Sequence, residues 1–325
     1  MTEEQKNTSS ASAAEQAQAW ERSMLERIAT ASIQEQAKAR RWRTITRMAW
    51  LLFFVGLAWM LMFKSGAKTP AAKGSHTAVV EIRGNISDDA EASASNILTA
   101  AKAAFEDAGS KAVILSINSG GGSPVQAGII NDELKRMRTH YNKPLYAVIG
   151  DTSASGAYYV AVAADEIFVD KASMVGSIGV LMDGFGFTGA MEKIGVERRL
   201  ITAGENKGFL DPYSPLKPEQ RAHAQNMINQ IHAQFIQVVR QGRGAKLKET
   251  EGMFSGLVWN GEQAVQMGLA DQLGNVRSVA RDVVKEEKTV DYTKRDNMAE
   301  QLARRFGVAV GVGFAESLQK IPALR

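Results

Sequence analysis

The strongest apolar pattern in the chain is an unbroken one. Residues 48–63, MAWLLFFVGLAWMLMF, carry no charge and are bounded by Arg47 and Lys64. The run is short beside the roughly 17–25 residues of a spanning helix. Arg47 and Lys64 can extend their charged heads to the interfaces, however, and Trp42, Trp50 and Trp59 suit interfacial depths. No polar stripe interrupts the run, which argues against a buried core helix. The segment ahead of it is too long for the n-region of a cleaved signal peptide. The pattern therefore predicts a transmembrane signal anchor over residues 46–64. Lys38, Arg40, Arg41, Arg43 and Arg47 crowd its N-terminal flank, against Lys64, Lys68 and Lys73 beyond it. The positive-inside rule then puts the N-terminus in the cytoplasm and everything after residue 64 outside. In a bacterium with two membranes this is a single-pass protein of the inner (cytoplasmic) membrane with a periplasmic domain.

Past the anchor the pattern changes period. Residues 65–76 (SGAKTPAAKGSH) have linker composition. Extended apolar runs then alternate with helical ones: TAVVEIRG, a helix over 92–107, KAVILSIN, a helix over 124–139, and PLYAVIG. Strands separated by helices indicate βα units and a mostly parallel sheet. Residues 218–242 open on Pro218 and close on Gly242, with Met227, Ile228, Ile231, Phe235, Val238 and Val239 at helical spacing, so they form an amphipathic helix. The reading gives five parts: a partly disordered cytoplasmic segment 1–45, the anchor 46–64, a linker 65–76, the main domain 77–285, and a charged, weakly amphipathic tail 286–325.

Composition narrows the classes. At 325 residues the chain holds one good-sized domain with appendages, and 45% hydrophobic with 23% charged residues is ordinary for a globular protein. A net charge of +4 without a dense basic stripe gives no support for a nucleic-acid partner. With no cysteine there are no disulfides, thiolate nucleophiles or cysteine-bound zinc. No clustered His/Asp/Glu signature calls for a metal, and no cofactor is expected.

Few side chains remain for catalysis. His76, His140, His223 and His232 are scattered away from any glycine-rich turn. Ser155 lies between small residues at the start of the apolar run AYYVAVAA, and Lys207 lies downstream in Gly204-Glu205-Asn206-Lys207-Gly208. A serine nucleophile needs a base, and lysine serves only when enough of it is neutral near pH 7–8, which partial desolvation brings about. Ser155 reads equally as a helix N-cap, and Lys207 as a solvated surface charge. Ser153 and Lys217 are their local rivals. Gly120-Gly121-Gly122 follows the strand VILSIN, where such a turn can aim amides at a developing oxyanion, with Gly156 as a second donor. The same glycines also serve simply to make a sharp turn. No Gly-Lys-Ser/Thr follows them, so a phosphate loop is not indicated.

Five stretches in order carry a family likeness: ILSINSGGGSPVQAG (114–128), VIGDTSASGAYYVAVAAD (148–165), ASMVGSIGVLMD (172–183), ITAGENKG (201–208) and FSGLVWNGEQAVQMGLADQLG (254–274). On these motifs the chain resembles the short bacterial signal peptide peptidase A family over about residues 77–285. One departure is that the family usually reads Asn-Ser-Pro-Gly-Gly where this chain has Asn118-Ser119-Gly120-Gly121-Gly122. The resemblance implies an α/β fold, a crotonase/Clp-protease-like ββα superhelix with mostly parallel sheets preceded by one transmembrane helix. It implies Ser155 as nucleophile, Lys207 as general base and Ser177 as the serine that hydrogen-bonds the lysine, with Gly121, Gly122 and Gly156 at the oxyanion hole, Gly121 first among the turn glycines. It also implies peptide substrates, cleaved signal peptides and other unfolded apolar segments among them, contact with the lipid bilayer through 46–64, and a homo-oligomer. The alternatives are a related Ser–Lys membrane protease with other substrates and a non-catalytic membrane scaffold. A crotonase-type acyl-CoA enzyme shares the last of these stretches, 254–274, the element that closes the domain, but would find no CoA outside the cytoplasm.

Overall fold

The computed structural model describes residues 20, 38, 40–57, 59 and 74–294. Residues 74–294 fall within one compact unit, Thr69–Asp296. Residues 40–57 are helical and belong to a different unit. They expose Trp50, Leu51, Leu52, Phe53, Phe54 and Val55. Among the described residues no helix is long and apolar enough to cross a membrane. Positions 58 and 60–64 of the expected anchor lie outside the described residues. So do nearly all of 1–37, most of the linker, and the tail beyond 294.

The strands are explained by their alternation. β1 (His76–Ile86), β2 (Ser110–Gly122), β3 (Leu145–Ala154) and β4 (Glu166–Val169) each send alternate residues to opposite faces. Val80 and Ile82, Val113 and Leu115, Ala147 and Ile149, Ile167 and Val169 enter the main core. Val79, Ile114, Val148 and Phe168, one from each strand, enter a smaller cluster on the other face with Val279 and Ala280. Both faces being covered is why these strands read as continuous apolar runs, the mark of a parallel sheet. The main core is closed by α1 (Ala94–Glu106) through Ile97, Ala101 and Phe105, and by α2 (Pro124–Tyr141) through Ile130, Leu134 and Met137. Each starts on a serine cap: the Ser93 hydroxyl accepts from the Asn96 amide, and that of Ser123 from the Gln126 amide, with Pro124 in the first turn.

Among the described residues an eight-stranded sheet runs β6 (Val258–Trp259), β5 (Met174–Gly176), β3, β2, β1, β8 (Thr289–Asp291), with β4 on β3 and β7 (Gln272–Leu273) on β4. Its pairings are parallel except that of β5 (Met174–Gly176) with β6 (Val258–Trp259). The mostly parallel α/β reading therefore holds. One edge of β3 takes two partners in succession: residues 146–149 pair with β4, and residues 152–154 with β5. The sheet also runs on past residue 285, because β8 (Thr289–Asp291) pairs with β1 and Tyr292 is buried in the core.

After β3 come α3 (Gly156–Ala161), a short α4 (Thr188–Lys193) and the long α5 (Pro218–Arg243). The closing element contains α6 (Gly261–Gln266), entered through an Asn260–Gln263 capping box, and β7 (Gln272–Leu273). It grips the elements below: the fully buried Tyr158 of α3 donates its hydroxyl to the Leu269 carbonyl at 2.8 Å. Arg243, 1% exposed in its side chain, pairs with Asp271 at 2.8 Å, and the Asp271 carboxylate also takes the Ile167 amide at 2.7 Å.

Candidate active site

Ser155 follows directly on the last residue of β3 and precedes the first residue of α3. Its backbone is left-handed, with φ 53° and ψ −125°. A non-glycine residue in such a conformation costs roughly 1–3 kcal/mol and persists only where its surroundings hold it. Here the Ser155 amide donates to the Gly176 carbonyl at 2.9 Å, and its carbonyl accepts from the Tyr159 amide at 3.0 Å. Ser155 occupies the N-cap position, yet its hydroxyl makes no capping bond. That separates it from Ser93 and Ser123, whose hydroxyls are committed to helix amides. The half-buried Ser155 hydroxyl is instead left to the cavity it lines.

That cavity, about 830 Å³, has a rim of backbone and small side chains: Gly120, Gly121, Gly122, Ser155, Gly156 and Ser177. Its wall is largely apolar, from Ala127, Tyr159, Val180, Leu181, Ile231 and Phe235, with Asn85, Gln234 and Ser255 as polar points. Tyr159 and Phe235 close one side, their ring centroids 5.1 Å apart. Ser177 follows β5 as Ser155 follows β3. Its φ is also positive, 50°, its amide donates to the Leu257 carbonyl at 2.8 Å, and its carbonyl accepts from Gly179 at 2.9 Å.

The three glycines are not equivalent. Gly120 has open space where a Cβ would stand, whereas Gly121 and Gly122 have φ of 98° and 148°. Gly121 is wedged against the serine turn: a Cβ on it would stand 2.7 Å from both the Ala154 carbonyl oxygen and the Gly156 nitrogen. Its amide proton is already given to the Ser119 hydroxyl at 3.1 Å. Gly122 is exposed, and its nitrogen lies 3.3 Å from where a Gly156 Cβ would stand. The following amide, Ser123, donates to the Ile86 carbonyl at 2.8 Å. The amides on either side of Gly122, those of Gly121 and Ser123, are thus engaged by Ser119 and Ile86, while the Gly122 nitrogen lies beside Gly156.

The structure thus brings Ser155, Ser177, Gly121, Gly122 and Gly156 to one cavity. Lys207 does not line it. Lys207 is exposed on a turn, its amide donating to the Gly204 carbonyl at 3.1 Å. Lys217 is exposed at the start of α5, and Ser153 is fully buried and outside the cavity, its hydroxyl without a partner. Of the histidines, His232 bonds to the residue after Ser177. Its Nε2 donates to the Ile178 carbonyl at 3.0 Å, so that nitrogen carries a proton and cannot accept one from Ser155. Sequence reading set His232 aside with the other histidines, and it missed Asn85 and Gln234, which line the cavity and which helical periodicity and strand pattern do not flag. It also missed Ser119, whose part depends on strand register.

Residues 138–291 match Peptidase family S49. The chain is 44% identical over 178 residues to the Na(+)/H(+) antiporter NhaA of Brucella abortus, covering 55% of this chain and 24% of that protein. The chain therefore spans about a quarter of that relative's length. It is 31% identical over 198 residues to an Enterococcus faecium protein named as a signal peptide peptidase SppA, covering 61% of this chain and 57% of the relative. A Methanocaldococcus jannaschii protein named as a protease is 30% identical over 214 residues, covering 64% of this chain and 68% of the relative.

Proposed function

Because the chain belongs to peptidase family S49, we propose that it is a membrane-anchored serine endopeptidase with Ser155 as nucleophile and Lys207 as base. The observation that carries this reading is the Ser155 turn: a strained backbone, a hydroxyl spared from capping, and two amides beside it at one cavity. Ser155 Oγ attacks the scissile carbonyl carbon and its proton passes to the neutral Lys207 amine. The carbonyl oxygen becomes an oxyanion facing the amides of Gly122 and Gly156. With the Gly121 amide engaged by Ser119, Gly122 replaces Gly121 as the donor from the turn. The lysine then protonates the leaving amine, the C–N bond breaks and an acyl-enzyme remains. Water attacks that ester, giving its proton to Lys207, and the Ser155 oxygen leaves with a proton from the same amine.

Ser177 orients the amine in this scheme. The apolar wall of Tyr159, Ile231 and Phe235 suits unfolded apolar segments such as cleaved signal peptides. The exposed apolar side chains of 40–57 and the basic flank support an anchor in the inner membrane with the catalytic domain outside. Leu181, Phe185, Ile194, Ile201 and Leu216 are exposed on the segment that bears Lys207, which supports a homo-oligomer.

Lys207 must reach Ser155, either by rearrangement of residues 201–208 or from a second copy. Its exposure in the single chain also favours one rival, a non-catalytic scaffold. Labelling the full chain with a fluorophosphonate decides between them. We expect labelling of the unaltered chain, none in Ser155→Ala, and little in Lys207→Ala. Mixing the two variants restores hydrolysis only if the lysine comes from a second copy. An unaltered chain that neither labels nor hydrolyses peptides would leave the scaffold.

A further inference from the structure

Beneath the glycine turn lies a side chain that the proposed mechanism does not use. Ser119 is 2% exposed, and its hydroxyl is spent twice: it donates to the Gly84 carbonyl at 2.5 Å and accepts from the Gly121 amide at 3.1 Å. Ser119 stands where strand register slips on both sides. The β1–β2 pairing shifts between Arg83 and Asn85, and the β2–β3 pairing shifts between Ile117 and Ser119. Gly121 is back in register with Asn85, and beside that ladder the Ser119 hydroxyl links the Gly121 amide to the Gly84 carbonyl.

The link acts at the cavity itself, which Gly121 lines. With its amide held toward β1, Gly121 cannot rotate freely, and it is already packed against Ala154 and Gly156 on the other side. The next peptide, carrying the Gly122 amide, is thereby fixed toward Gly156. We propose that Ser119 is a positioning residue that sets the direction of the Gly122 amide, and so the geometry of the oxyanion site. The inference rests on the reading of Ser155 as nucleophile and Gly122 as donor.

The roles separate by which state of the reaction they touch. A misdirected oxyanion donor weakens the transition state and spares ground-state binding, so it lowers kcat and leaves KM. For Ser119→Ala in the full chain we expect kcat to fall about ten- to a hundredfold with KM unchanged, less than the roughly 10²–10³-fold of losing a donor outright. Inhibition by a peptide aldehyde, whose adduct with Ser155 places an oxygen in the oxyanion site, should weaken in step with kcat. Ser119→Thr, which keeps the hydroxyl, should recover most of both. If Ser119→Ala does not fold, Ser119→Thr is compared with Ser119→Cys, whose thiol bridges poorly: equal kcat in these two overturns the inference. A Ser119→Ala chain that folds and keeps kcat within about twofold also overturns it, as does a rise in KM with kcat unchanged. Ser155→Ala run in parallel keeps the two readings apart. If that variant hydrolyses peptide normally, the functional reading fails. If it is inactive while Ser119→Ala is not impaired, only the positioning inference fails.

Discussion

Ser155 and Ser177 stand side by side one residue past the ends of two paired strands. Ala154 is in register with Gly176, the Ser155 amide donates to the Gly176 carbonyl at 2.9 Å, and φ is 53° at one serine and 50° at the other. Neither residue gains locally from this backbone, since left-handed conformations favour glycine. Two strained serines on the same cavity, the first bonded to the residue before the second, are over-determined by the edge that β5 presents to β3 and, through Val258, to β6. The arrangement separates what each serine contributes by hydroxyl from what it contributes by backbone.

For Ser177 that separation is testable with two substitutions. Ser177→Gly removes the hydroxyl and relieves the positive φ, while Ser177→Ala removes the hydroxyl and keeps the strain. We expect both to lower kcat by a similar factor, about tenfold or more for a group that orients the base. Thermal melting should show the glycine variant at least as stable as the alanine one. Full activity in Ser177→Gly would reduce Ser177 to a turn residue.

The glycine turn predicts a sharp contrast between neighbours. A Cβ at Gly120 meets nothing within 4 Å, whereas one at Gly121 stands 2.7 Å from two backbone atoms of the serine turn. Gly120→Ala should keep activity within about twofold, as exposed substitutions usually do. Gly121→Ala should abolish it, because the backbone around Ser155 must move. Peptide hydrolysis by the two variants checks this, and equal activity would show the turn to be slack.

Much of this architecture is legible from the chain, for identifiable reasons. Helices expected over 92–107, 124–139 and 218–242 are observed as Ala94–Glu106, Pro124–Tyr141 and Pro218–Arg243, because serine caps, a proline start and apolar spacing are local signals. Ser155 could be placed at a strand-to-helix junction for the same reason. Its positive φ could not, since that follows from the Gly176 carbonyl across the sheet. The Ser119 circuit is also hidden, because a hydroxyl that links two strands depends on a register shift that no single strand encodes. Nor does β8 announce itself: three residues of TVD acquire strand geometry only by pairing with β1.

Topology gives a prediction independent of the chemistry. On the proposed single-pass topology a reporter active only in the cytoplasm, fused after residue 75, should be silent, because a basic flank such as that at 38–47 favours the cytoplasmic side. Replacing Arg40, Arg41, Arg43 and Arg47 together with neutral residues should raise the fraction of inverted chains. An active reporter on the unaltered chain would put the domain in the cytoplasm and readmit a CoA substrate.

The last prediction concerns the buried pair that ties the closing element to the sheet. Burial pushes the Asp271 carboxyl up, but hydrogen bonds from Arg243, Lys246 and the Ile167 amide outweigh it and hold the group below its ordinary value of 3.8. A carboxylate with a depressed folded-state pKa stabilises the fold above its unfolded value, and that stability is lost as pH falls through the folded one. Lys246 is about half exposed, so solvent screens its share of the stability. Arg243, by contrast, is 1% exposed in its side chain and would be left an uncompensated buried cation without its partner. Asp271→Asn should therefore destabilise the protein by on the order of 3 kcal/mol at pH 7. The gap should shrink as pH is lowered from about 4, because the unaltered chain then loses the same charge. Urea unfolding of both chains across that range is the measurement. Equal midpoints at pH 7, or a gap that persists undiminished at pH 3, would show that Asp271 holds the closing element by shape and not by charge.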